Sequence, residues 1–192
     1  MPGPLDGKHI LILATDGFEQ SELEVPRDKL SAAGARVDVA ALEADGTRPV
    51  EIKGWDKTDW GAPVKVDKAL KQVHAEDYDA IVLPGGVINP DHLRTEPRAL
   101  DLIRAFYDAG KTVAAICHAP WLMVEAGLAK GRKMTSYSSI KTDVINAGAN
   151  WEDAPVVTDN GVVTSRNPGD LEAFCAKIVE EVKEGRHQRR AA

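Results

Sequence analysis

Short apolar runs alternate along the chain with longer stretches in which apolar residues recur every three or four positions. Uninterrupted apolar runs of this length are typical of strands buried on both faces, and the longer stretches are typical of amphipathic helices. The pattern therefore predicts an α/β fold in which helices cover both faces of a mainly parallel sheet. The predicted strands are residues 9–14, 36–42, 78–83, 112–116 and 133–137, and the predicted helices are residues 25–33, 97–109, 120–126 and 139–147.

Two regions follow a less regular pattern. Glycine and proline interrupt residues 43–66, which we expect to hold a short hairpin or an excursion from the sheet. Residues 156–165 predict a second hairpin around Asn160 and Gly161, and Asp170 then N-caps a final helix. The apolar stripe of that helix is formed by Leu171, Phe174, Cys175, Ile178, Val179 and Val182.

The length of 192 residues, with 43% hydrophobic and 28% charged residues, indicates one ordinary globular domain. We expect this domain to span residues 1–192, with a core of about 8–183. Residues 184–192 would form a basic tail that contains Arg186, Arg189 and Arg190. The net charge of −6 argues against nucleic acid and anionic membranes as partners.

Two cysteines are too few for a disulfide framework, which favours a cytoplasmic location. The apolar run at residues 10–14 is too short for a signal peptide or a membrane span. Neither CxxC nor HExxH spacing occurs, so we expect no metal and no cofactor.

Cys117 is the strongest candidate for chemistry, because it lies between a predicted strand and a predicted helix. The carboxyl ends of parallel strands are where such folds bind ligands, and a helix N-terminus lowers the pKa of a thiol. This placement resembles a nucleophile elbow, although Ala115 and Ala119 stand where glycine is usual. A buried core cysteine is the alternative, and it is the better interpretation for Cys175 within its apolar stripe.

Four other positions could serve the thiol. His118 could act as acid or base, or could only cap the helix; Asp91, after Gly86, is the best-placed acid to orient it. Glu19 and Glu22 follow the first strand, where a protonated carboxyl could contact the sulfur, although acids at a helix start are common.

Gly85 and Gly86 would allow a ligand to approach the backbone closely. The amides of Gly86 and His118 could then hold an oxyanion. A Gly-Gly turn also occurs for packing reasons alone.

Four motifs occur in order along the chain: FEQSE at 18–22, VLPGG at 82–86, AICHAP at 115–120 and TSR at 164–166. Together they resemble the superfamily of PfpI-type intracellular proteases and parkinsonism-associated deglycases, in particular the branch of bacterial general stress proteins. The resemblance implies a flavodoxin-like, class I glutamine amidotransferase-like three-layer sandwich with a nucleophile elbow. It also implies a homo-oligomer, either a dimer or a hexamer.

The resemblance further implies Cys117 as nucleophile and Glu22 as the carboxyl that contacts it. It implies a triad of Cys117 and His118 with an acid from a neighbouring subunit, a position that Asp91 matches one residue later in the loop. Ala119 replaces the usual glycine after the Cys-His pair, and we expect its methyl group to narrow the pocket.

Three functional hypotheses follow. The leading one is a cofactor-independent stress-response enzyme that acts on reactive carbonyls, either small glyoxals or their adducts on proteins and peptides. The second is a cysteine peptidase whose triad is shared between subunits. The third is a redox sensor or chaperone-like protein in which Cys117 is oxidised.

Overall fold

The computed structural model describes residues 2–43 and 46–188. Its strands are β1 (His9–Leu13), β2 (Phe18–Glu19), β3 (Arg36–Ala41), β4 (Glu51–Asp56), β5 (Asp59–Lys65), β6 (Lys68–Ala69), β7 (Ala80–Leu83), β8 (Thr112–Ile116), β9 (Lys133–Met134), β10 (Asn150–Trp151), β11 (Val156–Asp159) and β12 (Val162–Ser165). Its α-helices are α1 (Gln20–Ala32), α2 (Ile88–Leu93), α3 (Pro97–Asp108), α4 (Pro120–Glu125), α5 (Lys141–Asn146) and α6 (Leu171–Glu184).

Seven strands form the central sheet in the order β11-β12-β8-β7-β1-β3-β6. All neighbours pair in parallel except β11 and β12. The inner strands β1, β7 and β8 are buried because helices cover both faces of the sheet. One apolar cluster lies on the face of α3 and α4, and another lies on the face of α1 and α6. The predicted α/β fold with a mainly parallel sheet is confirmed.

The strand predicted at residues 133–137 is wrong in extent and in partner. Only β9 is extended there, and it pairs with β10 in a separate two-stranded sheet. Residues 138–140 then form a 3₁₀ turn before α5, so Ser139 does not cap a helix as expected.

Helix α1 begins five residues earlier than predicted, and Pro26 lies inside it. Proline removes one hydrogen bond from a helix interior, and for that reason the sequence favours a helix that starts close to Pro26. Burial of Leu23, Pro26 and Leu30 against the sheet offsets that loss and keeps the turn that carries Glu22 helical.

Both predicted hairpins are present. Strands β4 and β5 form the first one, and β2 joins them in a three-stranded sheet. Strands β11 and β12 form the second around Asn160 and Gly161, both with positive φ. Asp170 stands at the N-cap of α6, but its carboxylate binds Arg166 instead of capping the helix.

Helix α6 ends at Glu184, and the described part of the predicted basic tail folds back so that His187 N–H donates to the Gly110 carbonyl at 2.8 Å. Arg189 and Arg190 lie outside the described residues. Within the described residues, none of the helices has the length and apolar character needed to span a membrane.

Candidate active site

Cys117 occupies the sharp turn that follows β8, as expected for a nucleophile elbow. Its φ is 64°, a left-handed conformation that costs a non-glycine residue roughly 1–2 kcal/mol. Two backbone hydrogen bonds hold the turn: Cys117 N–H donates to Ser165 O at 3.1 Å, and its carbonyl accepts from Tyr137 N–H at 2.8 Å. The strained turn therefore places the sulfur at the carboxyl end of the central sheet, where ligands bind in this class of fold.

His118 contacts the sulfur directly. Its Nδ1 lies 3.1 Å from Cys117 Sγ, so the tight turn brings these adjacent side chains together. The imidazole is largely buried and stacks on Tyr137. Burial lowers the pKa of His118, so the ring is neutral at physiological pH and can accept a proton from the thiol.

Glu22 is fully buried on the other side of the cysteine. Its Oε2 accepts a hydrogen bond from Gly85 N–H at 2.9 Å, while Oε1 has no hydrogen-bond partner among the described residues. Burial raises the pKa of Glu22 to about 8, more than the Gly85 amide and the Cys117 thiol lower it. Glu22 is therefore mainly protonated at neutral pH and can donate a proton into the site.

Burial also raises the pKa of the Cys117 thiol, and the charge of an ionised Glu22 raises it further. This direction is opposite to the one expected from a helix N-terminus. Helix α4 has only six residues and begins three positions after the cysteine. Its N-terminus therefore lowers the pKa of the thiol less than burial raises it. When Glu22 holds its proton, the repulsion between the two groups disappears. The pair therefore favours one negative charge at most.

The loop after β7 supplies amides to the same sulfur. Backbone N–H groups of Gly86 and His118 hydrogen-bond Cys117 and lower its pKa, which is the arrangement required of an oxyanion site. A Cβ on Gly85 would lie 2.6 Å from the Cys117 Cβ and 2.6 Å from Glu22 Oε2, so only glycine fits there. Ala119 is buried in the apolar cluster that includes Leu122 and Met123, and the effect of its methyl group on the pocket stays a prediction.

Glu19 ends β2 beside the loop that carries Gly85. Its N–H donates to Gly85 O at 3.3 Å, and its carboxyl lies near enough to Glu22 to raise the pKa of that residue. Burial, and after it the charge of Asp56, raises the pKa of Glu19 itself. Glu19 thus links the cysteine site to the β4–β5 hairpin.

Asp91 lies in the short helix α2, whereas the sequence predicted a loop. It is half-exposed, and its carboxylate binds Arg94 at 2.7 Å. The guanidinium of Arg94 lies 4.6 Å from the ring centre of Trp121, which packs against His118. Among the described residues, the imidazole of His118 hydrogen-bonds to Cys117 and Ser139 and not to Asp91. A role for Asp91 in a neighbouring subunit therefore stays a prediction.

Sequence reasoning missed Ser139. Its hydroxyl lies 3.0 Å from His118 Nε2 and can fix the tautomer of the ring. No motif marks this serine, because the contact depends on the turn between β9 and α5 folding back over the site. Arg166 of the TSR motif binds Asp170 and Asp153, so it stabilises the start of α6 and does not touch the sulfur.

One group of described side chains has metal-ligand spacing: Glu181, Glu184 and His187, whose ligand atoms lie within 4.8 Å of one another. It sits beside Gly110, before β8, and so at the opposite edge of the sheet from Cys117. The group is not part of the cysteine site.

A family model for the DJ-1/PfpI family matches residues 8–181. The chain belongs to the DJ-1/PfpI family. Deglycase PfpI of Pyrococcus furiosus is 40% identical over 174 residues, which cover 91% of this chain and 99% of that protein. YraA of Bacillus subtilis, named as a candidate cysteine protease, is 44% identical over 167 residues, covering 87% and 94% of the two chains.

The fold of this DJ-1/PfpI member is also similar to that of a solved structure. Drosophila melanogaster DJ-1beta matches with a TM-score of 0.79 and 34% identity, covering 92% of this chain and 94% of the other. The family match leaves out residues 182–192, so the docking of His187 onto Gly110 lies beyond it.

Proposed function

We propose that this protein is a cysteine-dependent, cofactor-independent enzyme acting on reactive carbonyls, either free glyoxals or their adducts on proteins and peptides. The observation that carries the proposal is the setting of Cys117. Its sulfur lies 3.1 Å from a neutral imidazole, beside a carboxyl with a pKa of about 8 and two backbone amides. Such a site supplies a base, an acid and an oxyanion pocket around one nucleophile.

The first step is addition of the thiol to an aldehyde. His118 Nδ1 accepts the thiol proton, the S–C bond forms, and the carbonyl oxygen takes a proton from Glu22 to give a hemithioacetal. The amides of Gly86 and His118 stabilise the negative charge that develops on the oxygen. Because burial disfavours the free thiolate, we expect the proton to leave as the carbonyl approaches.

For methylglyoxal, the second step moves a proton from the former aldehyde carbon to the adjacent carbonyl carbon. Before this step His118 returns the thiol proton to the Glu22 carboxylate, which frees the imidazole to act as the base. The hydroxyl proton passes from the first oxygen to the second, and the product is a thioester of lactate. Water then cleaves the thioester, which releases lactate and restores the thiol, so one methylglyoxal and one water become one lactic acid. For an adduct on a protein, the thiol displaces the carrier nitrogen from the hemiaminal carbon: His118 accepts the thiol proton, Glu22 protonates the leaving nitrogen, and the same hemithioacetal results.

The names of relatives support this proposal. Several are deglycases, including the Pyrococcus furiosus protein and protein/nucleic acid deglycase 2 of Escherichia coli. The test is the removal of methylglyoxal from preformed adducts of N-acetylarginine, followed by NMR with purified protein. Release faster than the spontaneous rate, abolished in Cys117→Ala, is expected; an equal rate in the two proteins would refute the proposal.

A peptidase is the second candidate, and one observation favours it. The side chain of Asp91 is 52% exposed, so a neighbouring subunit could present it to a histidine. In that case peptide cleavage would require an oligomer, and Asp91→Asn would reduce cleavage without changing assembly. Cleavage by a monomer would exclude the shared triad.

The redox hypothesis is the weakest of the three. Cys117 is only 5% exposed, and burial raises the pKa of its thiol, whereas oxidation requires an accessible thiolate. We therefore expect catalysis, and not oxidation, to be the main role of this residue.

A further inference from the structure

The β4–β5 hairpin, which pairs with β2 beside the candidate active site, carries an aromatic pair. Trp55 and Trp60 face each other across the hairpin, with ring centres 5.7 Å apart in an edge-to-face arrangement. Trp60 is 48% exposed, whereas all three phenylalanines of the chain are fully buried. An exposed tryptophan of this kind is an unusual surface residue and points to a ligand.

Strand pairing places these rings on the same side as Glu19. Glu19 pairs in register with Trp55, and Trp55 pairs with Trp60, so the three side chains share one face of the small sheet. Glu19 N–H in turn donates to Gly85 O at 3.3 Å, and a Cβ added to Gly85 would lie 2.6 Å from the Cys117 Cβ, so this loop is adjacent to the cysteine. The aromatic pair and Glu19 therefore form a wall that adjoins the loop next to the sulfur.

The side chain of Gln20 packs closely against the hairpin. The amide of Gln20 lies over Gly54 and Gly61, where an added Cβ would come within 2.2 Å and 2.4 Å of its oxygen. A β-bulge beside these glycines interrupts the register between Lys53 and Trp55. Bulges are common next to functional sites, where they redirect side chains.

The chemistry of this wall suits a cation. Trp121 and Trp151 each carry a cation of their own chain, Arg94 and Lys141, at 4.6 Å from the ring centre. Among the described residues, the ring that contacts Trp60 is that of Trp55, whose indole N–H donates to Lys57 O at 3.0 Å. The ring faces are thus the recognition element that remains, and tryptophan is the best aromatic acceptor for an ammonium or guanidinium group.

The carboxyl groups of Glu19 and Asp56 give this wall a negative charge, which is complementary to a cation. Burial and the charge of Asp56 raise the pKa of Glu19, and Lys57 offsets this only partly. A bound cation would relieve the repulsion between the two carboxylates. Carboxylates beside tryptophan faces are complementary to the side chains of lysine and arginine.

We propose that Trp55, Trp60 and Glu19 form a subsite for a cationic side chain of a peptide or protein that carries the carbonyl adduct. This inference rests on the proposed function and names its substrate class: adducts on chains that contain lysine or arginine. Two strand spacings separate Glu19 from Trp60, about 10 Å. Because Glu19 borders the Gly85 loop beside Cys117, an extended peptide whose adduct lies at the sulfur needs about three residues or more to place a cation at Trp60.

Binding to Cys117→Ala protein tests the subsite without any turnover, so it can fail or succeed independently of the proposed reaction. The probe is an N-acetylated peptide with arginine three residues from a central glycine, compared by calorimetry with the same peptide containing citrulline. We expect the arginine peptide to bind roughly fivefold to tenfold more tightly. Adding Trp60→Ala should abolish the difference, and Trp60→Phe should retain part of it.

Val50→Ala is the matched control, because Val50 is exposed at the base of the same hairpin. It should keep the preference for arginine. Equal affinity for the two peptides, or a preference that survives Trp60→Ala, would overturn the proposal. A change of oligomeric state in Trp60→Ala would also overturn it, because the wall would then be a contact between copies of this chain.

Discussion

Replacing Glu22 by glutamine should make the protein more stable at pH 8 and leave its stability nearly unchanged at pH 4.5. Burial raises the pKa of Glu22 from 4.5 to about 8 in the folded chain. Below pH 4.5 both the folded and unfolded forms hold the proton, so the carboxyl adds no pH-dependent cost. Between pH 4.5 and 8 the unfolded chain ionises while the folded chain does not, so stability falls as the pH rises.

The full difference between these pKa values corresponds to about 5 kcal/mol, which is an upper bound on the cost near pH 8. Glutamine keeps the shape of the side chain and an oxygen that can accept from Gly85 N–H, but it cannot ionise. We therefore expect Glu22→Gln to gain about 2–4 kcal/mol at pH 8 relative to wild type. Activity should be lost, because the proton donor is gone.

Urea denaturation of wild type and Glu22→Gln at pH 4.5, 6 and 8 measures this gain. Glu24→Gln, in the same helix, controls for the substitution and should stay within about 0.5 kcal/mol of wild type at each pH. A gain that does not grow with pH would refute the reasoning. It would mean that Glu22 is ionised in the folded protein and paired with a group other than those described above.

Three further outcomes are expected. Cys117→Gly should have a free energy of unfolding about 1 kcal/mol higher than that of Cys117→Ala in urea denaturation, because glycine adopts a φ of 64° without strain. Equal free energies of unfolding would show that the turn is unstrained. Ser139→Ala should lower kcat roughly tenfold and shift its pH profile, with Ser139→Thr restoring most of it, because the hydroxyl orients His118; an unchanged profile would make Ser139 merely structural. Gly161→Ala should lower the free energy of unfolding by about 1–2 kcal/mol, because the φ of Gly161 is +75° and an added Cβ would lie 2.3 Å from the His187 ring. In a His187→Ala background, thermal denaturation should show a smaller loss of stability. An equal loss would assign the whole effect to φ.

Much of the fold was predictable because periodicity reports burial. The runs that became β1, β7 and β8 are apolar apart from His9 and Thr112 at their first positions, a pattern typical of strands covered on both faces. The elements that sequence reasoning misplaced are those in which tertiary contacts override local preference. Proline inside α1 and the short strand β9 are the clearest cases.

The residues of the candidate site also divide into those that follow from the sequence pattern and those that depend on tertiary contacts. Cys117, His118, Glu22 and the two glycines stand directly after strand ends, so their meeting follows from the topology. Ser139 could not be found, because its contact with His118 depends on a turn that packs across the sheet edge. The direction of the thiol pKa was missed because a sequence does not show how deeply the sulfur is buried.

The central claim is that Cys117 performs carbonyl chemistry without a cofactor. The most direct test is lactate formation from methylglyoxal by purified wild type, Cys117→Ala and Cys175→Ala, each with a metal chelator present. The account predicts turnover in wild type and in the Cys175→Ala variant, because Cys175 is buried in the core, and none in Cys117→Ala. Equal lactate from wild type and Cys117→Ala, or none from any of the three, would contradict it.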